Sequence, residues 1–289
     1  MKTRSLIFIA LAGVLWGTSG IFSYLLTPFG FTPVQMTAMR GGVSMVVMLI
    51  YILITNPKLL KVPKKEILLL IGSGTSQFLA SYTYFASMKA SSVSTAVILM
   101  YTAPVFVLIY SVLFLGEKLN AVKTITIFLM IVGCALVSGI VGGIEFSLLG
   151  VLFGMASGIT YSAYNILTKI LTLHKVNAVT VTSYNFVIVG IIGIAVSNPL
   201  EMVSITAQEP VSIVLLIIGI GVVTCVLPYL FYTLGLRDIP AGTATAMGII
   251  EPLSATLFSV AFLGESLTLP LVVGMILILS SVFVLARQK

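Results

Sequence analysis

The tetrapeptide Phe-Leu-Gly-Glu occurs twice, at Phe114–Glu117 and at Phe262–Glu265, 148 residues apart. The register extends well beyond it. The same offset pairs Pro104 with Pro252, Ser111 with Ser259, Leu119 with Leu267, and Thr95-Ala96 with Thr243-Ala244. From Thr95 to Leu119, ten of twenty-five positions are identical. Apolar helices match by composition alone at some positions, but not with a Pro, a Gly and a Glu in one register. The chain therefore reads as a duplicated unit, and duplication of this kind constrains the fold before any single residue does.

The duplicated units are strongly apolar. Mean hydropathy is +1.20, and only 8% of residues are charged, against about a quarter in a soluble domain. A chain of this composition has too little polar surface to face water, so an all-α, polytopic membrane protein is expected. A bilayer-crossing helix needs about 20 mostly apolar residues. Ten such runs can be placed, at 5–26, 33–54, 66–87, 92–115, 121–138, 147–169, 178–197, 211–234, 241–263 and 268–286. The connections between them are short and carry turn residues such as Asn56-Pro57, Asn198-Pro199 and Glu209-Pro210. The first run, about 22 residues after Lys2 and Arg4, is too long for a signal-peptide core and reads as a retained span. Cys134 and Cys225 lie inside apolar runs and read as small core residues.

Ten spans put both termini on one side. With that side cytoplasmic, thirteen Lys and Arg fall inside, Lys89 alone falls outside, and Arg40 lies within a span. The positive-inside rule fixes this orientation, and the net charge of +7 is an orientation signal rather than a nucleic-acid footprint. Two units of five spans, about 1–140 and 145–289, then enter the membrane from opposite faces. The repeat is expected to be inverted, with a binding site near the midplane between the halves.

These features carry a family likeness. Two sets of five short spans, Trp16-Gly17 in the first, Arg40 early in the second and the twice-used Pro…Leu-Gly-Glu-x-Leu unit resemble the drug/metabolite transporter superfamily, and within it the EamA-type family. The copies differ where Thr126 stands opposite Gly274 and Gly133 opposite Ser281, small for small at helix contacts. The resemblance implies a ten-helix carrier of the cytoplasmic membrane, exporting small metabolites or amino acids without a cofactor and without nucleotide hydrolysis. Trp16 is expected by resemblance to face the transport cavity.

Glu251 is the most informative single residue. It lies about 15 Å into the ninth run at 1.5 Å rise per residue. A charge at that depth costs about 3 kcal/mol unless it is paired, hydrated or protonated. Pro252 follows directly and leaves the carbonyl of Gly248 without its helical donor. Glu251 reads either as a site for a substrate ammonium or a coupling proton, or as a structural carboxylate that caps a broken helix or pairs with Arg40. Arg40 could hold a substrate carboxylate or anchor backbone carbonyls. Gln77, Ser81 and Tyr84 in the third run, and Ser157, Tyr161, Tyr164, Asn165 and Thr168 in the sixth, recur at helical spacing. The offset carries Ser81 to Tyr229 and Tyr84 to Tyr232. One polar face per span marks a cavity wall or an interhelical seam. Arg40, Pro104, Pro252, Glu117 and Glu265 are expected in structural or gating roles. His174 is the sole histidine and Asp238 the sole aspartate, and no nucleotide or metal motif is present, so an enzyme is not expected. The expected partners are a small-molecule solute and the lipid bilayer, not nucleic acid. A lipid scramblase with a groove open to the bilayer is the alternative.

Overall fold

A computed structural model of the chain describes residues 2–114, 120–138, 146–235, 247–248 and 250–287. Among the described residues the secondary structure is helical throughout. The first unit holds α1 (Lys2–Gly17), α2 (Ser19–Leu26), α3 (Pro33–Thr55), α4 (Ile67–Ala90), α5 (Val93–Met100), α6 (Ala103–Phe114) and α7 (Ala121–Val137). The second holds α8 (Leu148–Leu173), α9 (Ala178–Val196), α10 (Pro199–Thr206), α11 (Pro210–Gly221), α12 (Leu227–Gly235), α13 (Ile250–Leu263) and α14 (Leu269–Arg287).

The starts of these helices follow from local chemistry. Thr32 and Gln35 form a reciprocal capping box ahead of α3, with Pro33 in its first turn. Ser92, Asn120, Ser147 and Asn177 each accept a backbone N–H at the start of the next helix. Five stretches are long and apolar enough to cross a membrane: Thr3–Phe29, Pro33–Thr55, Val93–Tyr110, Ala178–Val196 and Pro210–Tyr232. Ala121–Val137, Ile250–Leu263 and Leu269–Val284 are shorter and apolar. Helices α4 and α8, 24 and 26 residues long, fall outside both sets. They are the two that carry the polar stripes, which they turn inward against each other and their neighbours.

Three expected spans are not continuous α-helices. The first breaks at Thr18, whose hydroxyl and N–H both turn back to the Leu15 carbonyl. The fourth breaks at Tyr101-Thr102, where Pro104 withdraws a helical donor. The eighth contains a wide π-turn over Val222–Val226, just before Pro228. The ninth is described only in part, since 241–246 and 249 lie outside the described residues.

Helix α4 lies along α8, α3 along α9 and α7 along α14, while α1 packs on both α12 and α13. Glycines set the closest approaches. A Cβ on Gly274 would meet the Gly133 carbonyl oxygen at 2.7 Å, so α7 and α14 touch backbone to backbone. At one end of the bundle, which is rich in lysine, His174 Nδ1 lies 2.8 Å from the buried Glu66 carboxylate. There Thr180 and Tyr184 also donate to the Leu59 and Leu60 carbonyls. At the opposite end the turns carrying Thr27, Ser91 and Glu265 border one cavity of about 360 Å³.

Candidate functional site

Between these ends lies a small central cavity of about 80 Å³. Its wall gathers Trp16 from α1, Arg40 from α3, Gln77, Ser81 and Tyr84 from α4, Tyr161 from α8, Tyr229 from α12 and Glu251 from α13. Ser19, Ala80 and Met100 complete it. Space of this size admits a few waters and is smaller than the about 300–1,000 Å³ of small-molecule pockets. The Gln77 Oε1 is buried without a hydrogen-bond partner among the described residues.

An aromatic wall frames the cavity. The Trp16 ring meets Tyr229 edge-on at 5.6 Å and Tyr232 at 5.7 Å, and Phe186 meets Tyr229 at 5.4 Å. Tyr161 stacks on Tyr164 at 5.8 Å. Such faces suit an apolar or cationic group. Tyr232 thus stands behind Trp16 rather than on the cavity wall. Asn165 is half-buried one turn beyond Tyr161, and the cavity wall does not include it. Ser157 instead serves a helix contact, donating to the Ala80 carbonyl.

The two charged side chains are held differently. Arg40 makes no ion pair with Glu251. Its Nε donates to Cys225 Sγ at 2.8 Å, and its Nη2 donates to the Thr224 carbonyl at 3.1 Å. Pro228 has no N–H to give Thr224, four residues back, so Arg40 meets a carbonyl that the helix cannot. Glu251 Oε2 lies 2.9 Å from the Tyr101 hydroxyl, which also reaches the Gly248 carbonyl at 2.8 Å. That carbonyl is the one freed by Pro252. In both places a proline opens a carbonyl in one unit and a polar side chain of the other unit closes it.

Two residues at the site, Tyr101 and Cys225, are not marked as such in the sequence. Cys225 was indistinguishable from a small core residue. Tyr101 belongs to no stripe, and its signal is indirect: it sits three residues before Pro104, where the fourth span breaks. Pro104 follows the break in the fourth span, and its offset mate Pro252 lies in the first turn of α13. Glu117 lies outside the described residues.

Glu265 does not simply end its own helix. Its carboxylate accepts from Val93 N–H at 2.6 Å, Ser94 N–H at 3.3 Å and Ser94 Oγ at 2.7 Å. It caps the N-terminus of α5 from the other unit, where a negative charge is favoured. Glu265→Ala removes all three bonds, and a cap is worth about 0.5–2 kcal/mol. The variant is expected to unfold at lower temperature than the parent protein in a thermal melt, with Glu265→Gln in between. Equal melting of all three would contradict the capping role.

Comparison with known proteins places these features in a wider group. The sequence profile of the EamA-like transporter family matches twice, over residues 3–139 and 148–287. The first match supplies Trp16, Arg40, Gln77, Ser81 and Tyr84 to the cavity, and the second supplies Tyr161, Tyr229 and Glu251. An uncharacterized transporter of Archaeoglobus fulgidus is 29% identical over 219 residues, 76% of each chain. The uncharacterized inner membrane transporter YicL of Salmonella typhimurium is 23% identical over 99% of this chain and 96% of its own. A solved crystal structure with 18% identity aligns over 98% of this chain and 96% of its own, with a TM-score of 0.63, a likeness of fold.

Proposed function

We infer that this chain, which belongs to the EamA-like transporter family, is a multi-pass secondary transporter that moves a small solute by alternating access around the central cavity. The observation that carries this reading is the convergence of polar and aromatic side chains from both family-matched segments on one cavity holding Glu251. The inverted repeat of two five-span halves is part of the same reading, and packing supports it. Under the 148-residue offset α1 on α12 becomes α8 on α4, and α1 on α13 becomes α8 on α6. The α3–α9 and α7–α14 pairs map onto themselves. An approximate two-fold axis relates such pairs, and an odd number of spans per half inverts them.

The lysine-rich end is cytoplasmic on the positive-inside rule, with both termini there. A relative named an inner membrane transporter supports the cytoplasmic membrane as the location. The solute is a small metabolite or amino acid, and export is the direction the family resemblance favours. Glu251 serves as the proton- or cation-binding carboxylate, and the solute meets Gln77, Ser81 and the tyrosine faces. Arg40 anchors the broken eighth span. Opening of the cavity must accompany solute entry, because its present volume is small. The 360 Å³ recess near Glu265 is the outer approach, closed below by the cap on α5.

Purified protein in sealed vesicles tests the reading. Movement of a small polar solute is the expected result. Movement of lipid analogues alone would favour the scramblase instead.

A further inference from the structure

The Tyr101 hydroxyl has one hydrogen and two acceptors within reach. Its oxygen lies 2.8 Å from the Gly248 carbonyl and 2.9 Å from Glu251 Oε2. A phenol donates once and accepts freely, while an ionised carboxylate only accepts. With Glu251 ionised, the single hydrogen must be divided or surrendered by one partner. With Glu251 neutral, the conflict disappears. The carboxyl O–H donates to Tyr101 Oη, and the Tyr101 O–H donates to the Gly248 carbonyl. The carboxyl O–H, the Tyr101 hydroxyl and the Gly248 carbonyl are then all paired.

The two arrangements differ at the Gly248 carbonyl. A carboxylate is the stronger acceptor, so ionised Glu251 draws the Tyr101 hydrogen to itself. The Gly248 carbonyl then keeps only the Glu251 N–H, at 3.1 Å. Pro252 cannot supply the missing donor. We propose that Tyr101 is a positioning residue that transmits the protonation of Glu251 to the Gly248 carbonyl, which Pro252 leaves without a helical donor, and so links proton binding to the chain just ahead of α13. The link crosses between the units, since Tyr101 belongs to the first and both its partners to the second.

The surroundings of Glu251 leave this link to act. Arg40, Tyr84, Tyr161 and Tyr229 face the same cavity. The Arg40 Nε and Nη2 donate to Cys225 and Thr224 instead of to Glu251. From the helices packed on α13, α1, α2 and α5 bring the uncharged Trp16, Ser19 and Met100 to the cavity.

The inference rests on Glu251 being the titrating group of the proposed transporter, and one experiment separates the two. Trp16 is the sole tryptophan and borders the cavity, so its emission reports on the charge state there. The purified full-length protein is titrated with acid and base while Trp16 fluorescence is followed. The expected result is one transition in the parent protein and none in Glu251→Gln. In Tyr101→Phe the transition should persist but be displaced by about tenfold in proton concentration, the scale of one charge-assisted hydrogen bond. Pro252→Ala provides a second arm, independent of whether Tyr101→Phe folds. Its new N–H satisfies Gly248, frees Tyr101 for the carboxylate, and should displace the transition in the opposite sense. A transition absent from the parent, or surviving Glu251→Gln, overturns the titrating carboxyl and with it the proton reading of the site. A flat Glu251→Gln with undisplaced transitions in both other variants overturns the role of Tyr101 alone.

Discussion

Glu251→Gln is expected to reduce solute movement driven by an imposed pH gradient to the level of protein-free vesicles. Glutamine keeps the size of the side chain and can still hydrogen-bond to Tyr101. What it loses is the change of charge. A carboxyl group at this depth is costly when charged and inexpensive when neutral, so its protonation state is tied to what else occupies the cavity. An amide has one state, and a pH gradient has nothing to act on. Passive exchange of solute without a gradient tests the same variant from the other side. If Glu251 only couples protons, exchange survives; if it also holds a solute cation, exchange is lost too. Gradient-driven transport unchanged in Glu251→Gln would remove Glu251 from the mechanism.

Gly17→Val is expected to have the largest effect on stability. Helix α1 crosses α13 at the level of Glu251. A Cβ on Gly17 would stand 2.8 Å from the Ser254 Cβ, 2.9 Å from the Ala255 nitrogen and 3.1 Å from the Glu251 carbonyl oxygen. Two of these are backbone atoms, which cannot rotate away. The helices must separate, and overpacking of this kind costs about 1–3 kcal/mol. The same separation carries Trp16 away from Glu251. A thermal melt in detergent checks the outcome, with a lowered midpoint for Gly17→Val and a smaller drop for Gly17→Ala. Gly42 is the control, because nothing lies within 4 Å of a Cβ placed there. Gly42→Ala should melt at or above the parent temperature, since alanine favours a helix by about 1 kcal/mol over glycine. A Gly17→Val protein that melts like the parent would contradict the close crossing.

Much of this architecture is legible in the sequence because one physical rule writes it. Apolar length marks the five stretches long enough to cross a membrane, and Asn, Ser and Pro mark helix starts. The polar stripes of α4 and α8 are visible at helical spacing, although those same polar residues keep both helices out of the most apolar set. The loose carbonyl at Gly248 follows from Pro252 by counting back four residues. The same count from Pro228 leads to Thr224, the carbonyl that Arg40 meets.

What stays hidden depends on contacts made far along the chain. Tyr101 is an isolated aromatic residue in an apolar run, and its partners lie 147 and 150 residues away. Its one local mark is Pro104, three residues on. Glu265 sits in a repeated motif, so its importance shows, but the helix it caps belongs to the other unit. Asn165 and Tyr161 share a stripe, yet the crossing of α8 with its neighbours decides which of them reaches the cavity. The breaks at Thr18 and Tyr101 have local causes, a hydroxyl that turns back on Leu15 and a proline three residues on, but apolar composition does not show them. Apolar runs pass through both without interruption, and only the packing of α1 on α13 and the reach of Tyr101 give the breaks a purpose.

The most direct measurement is uptake by vesicles that contain the purified protein as their sole protein. A mixture of small metabolites and amino acids is supplied outside, a pH gradient is imposed, and the vesicle contents are quantified by mass spectrometry. The expected result is selective accumulation of one or a few small polar solutes, collapsing when the gradient is dissipated and absent in Glu251→Gln vesicles. No solute accumulating above protein-free vesicles, while a fluorescent lipid analogue crosses between leaflets, would contradict the carrier.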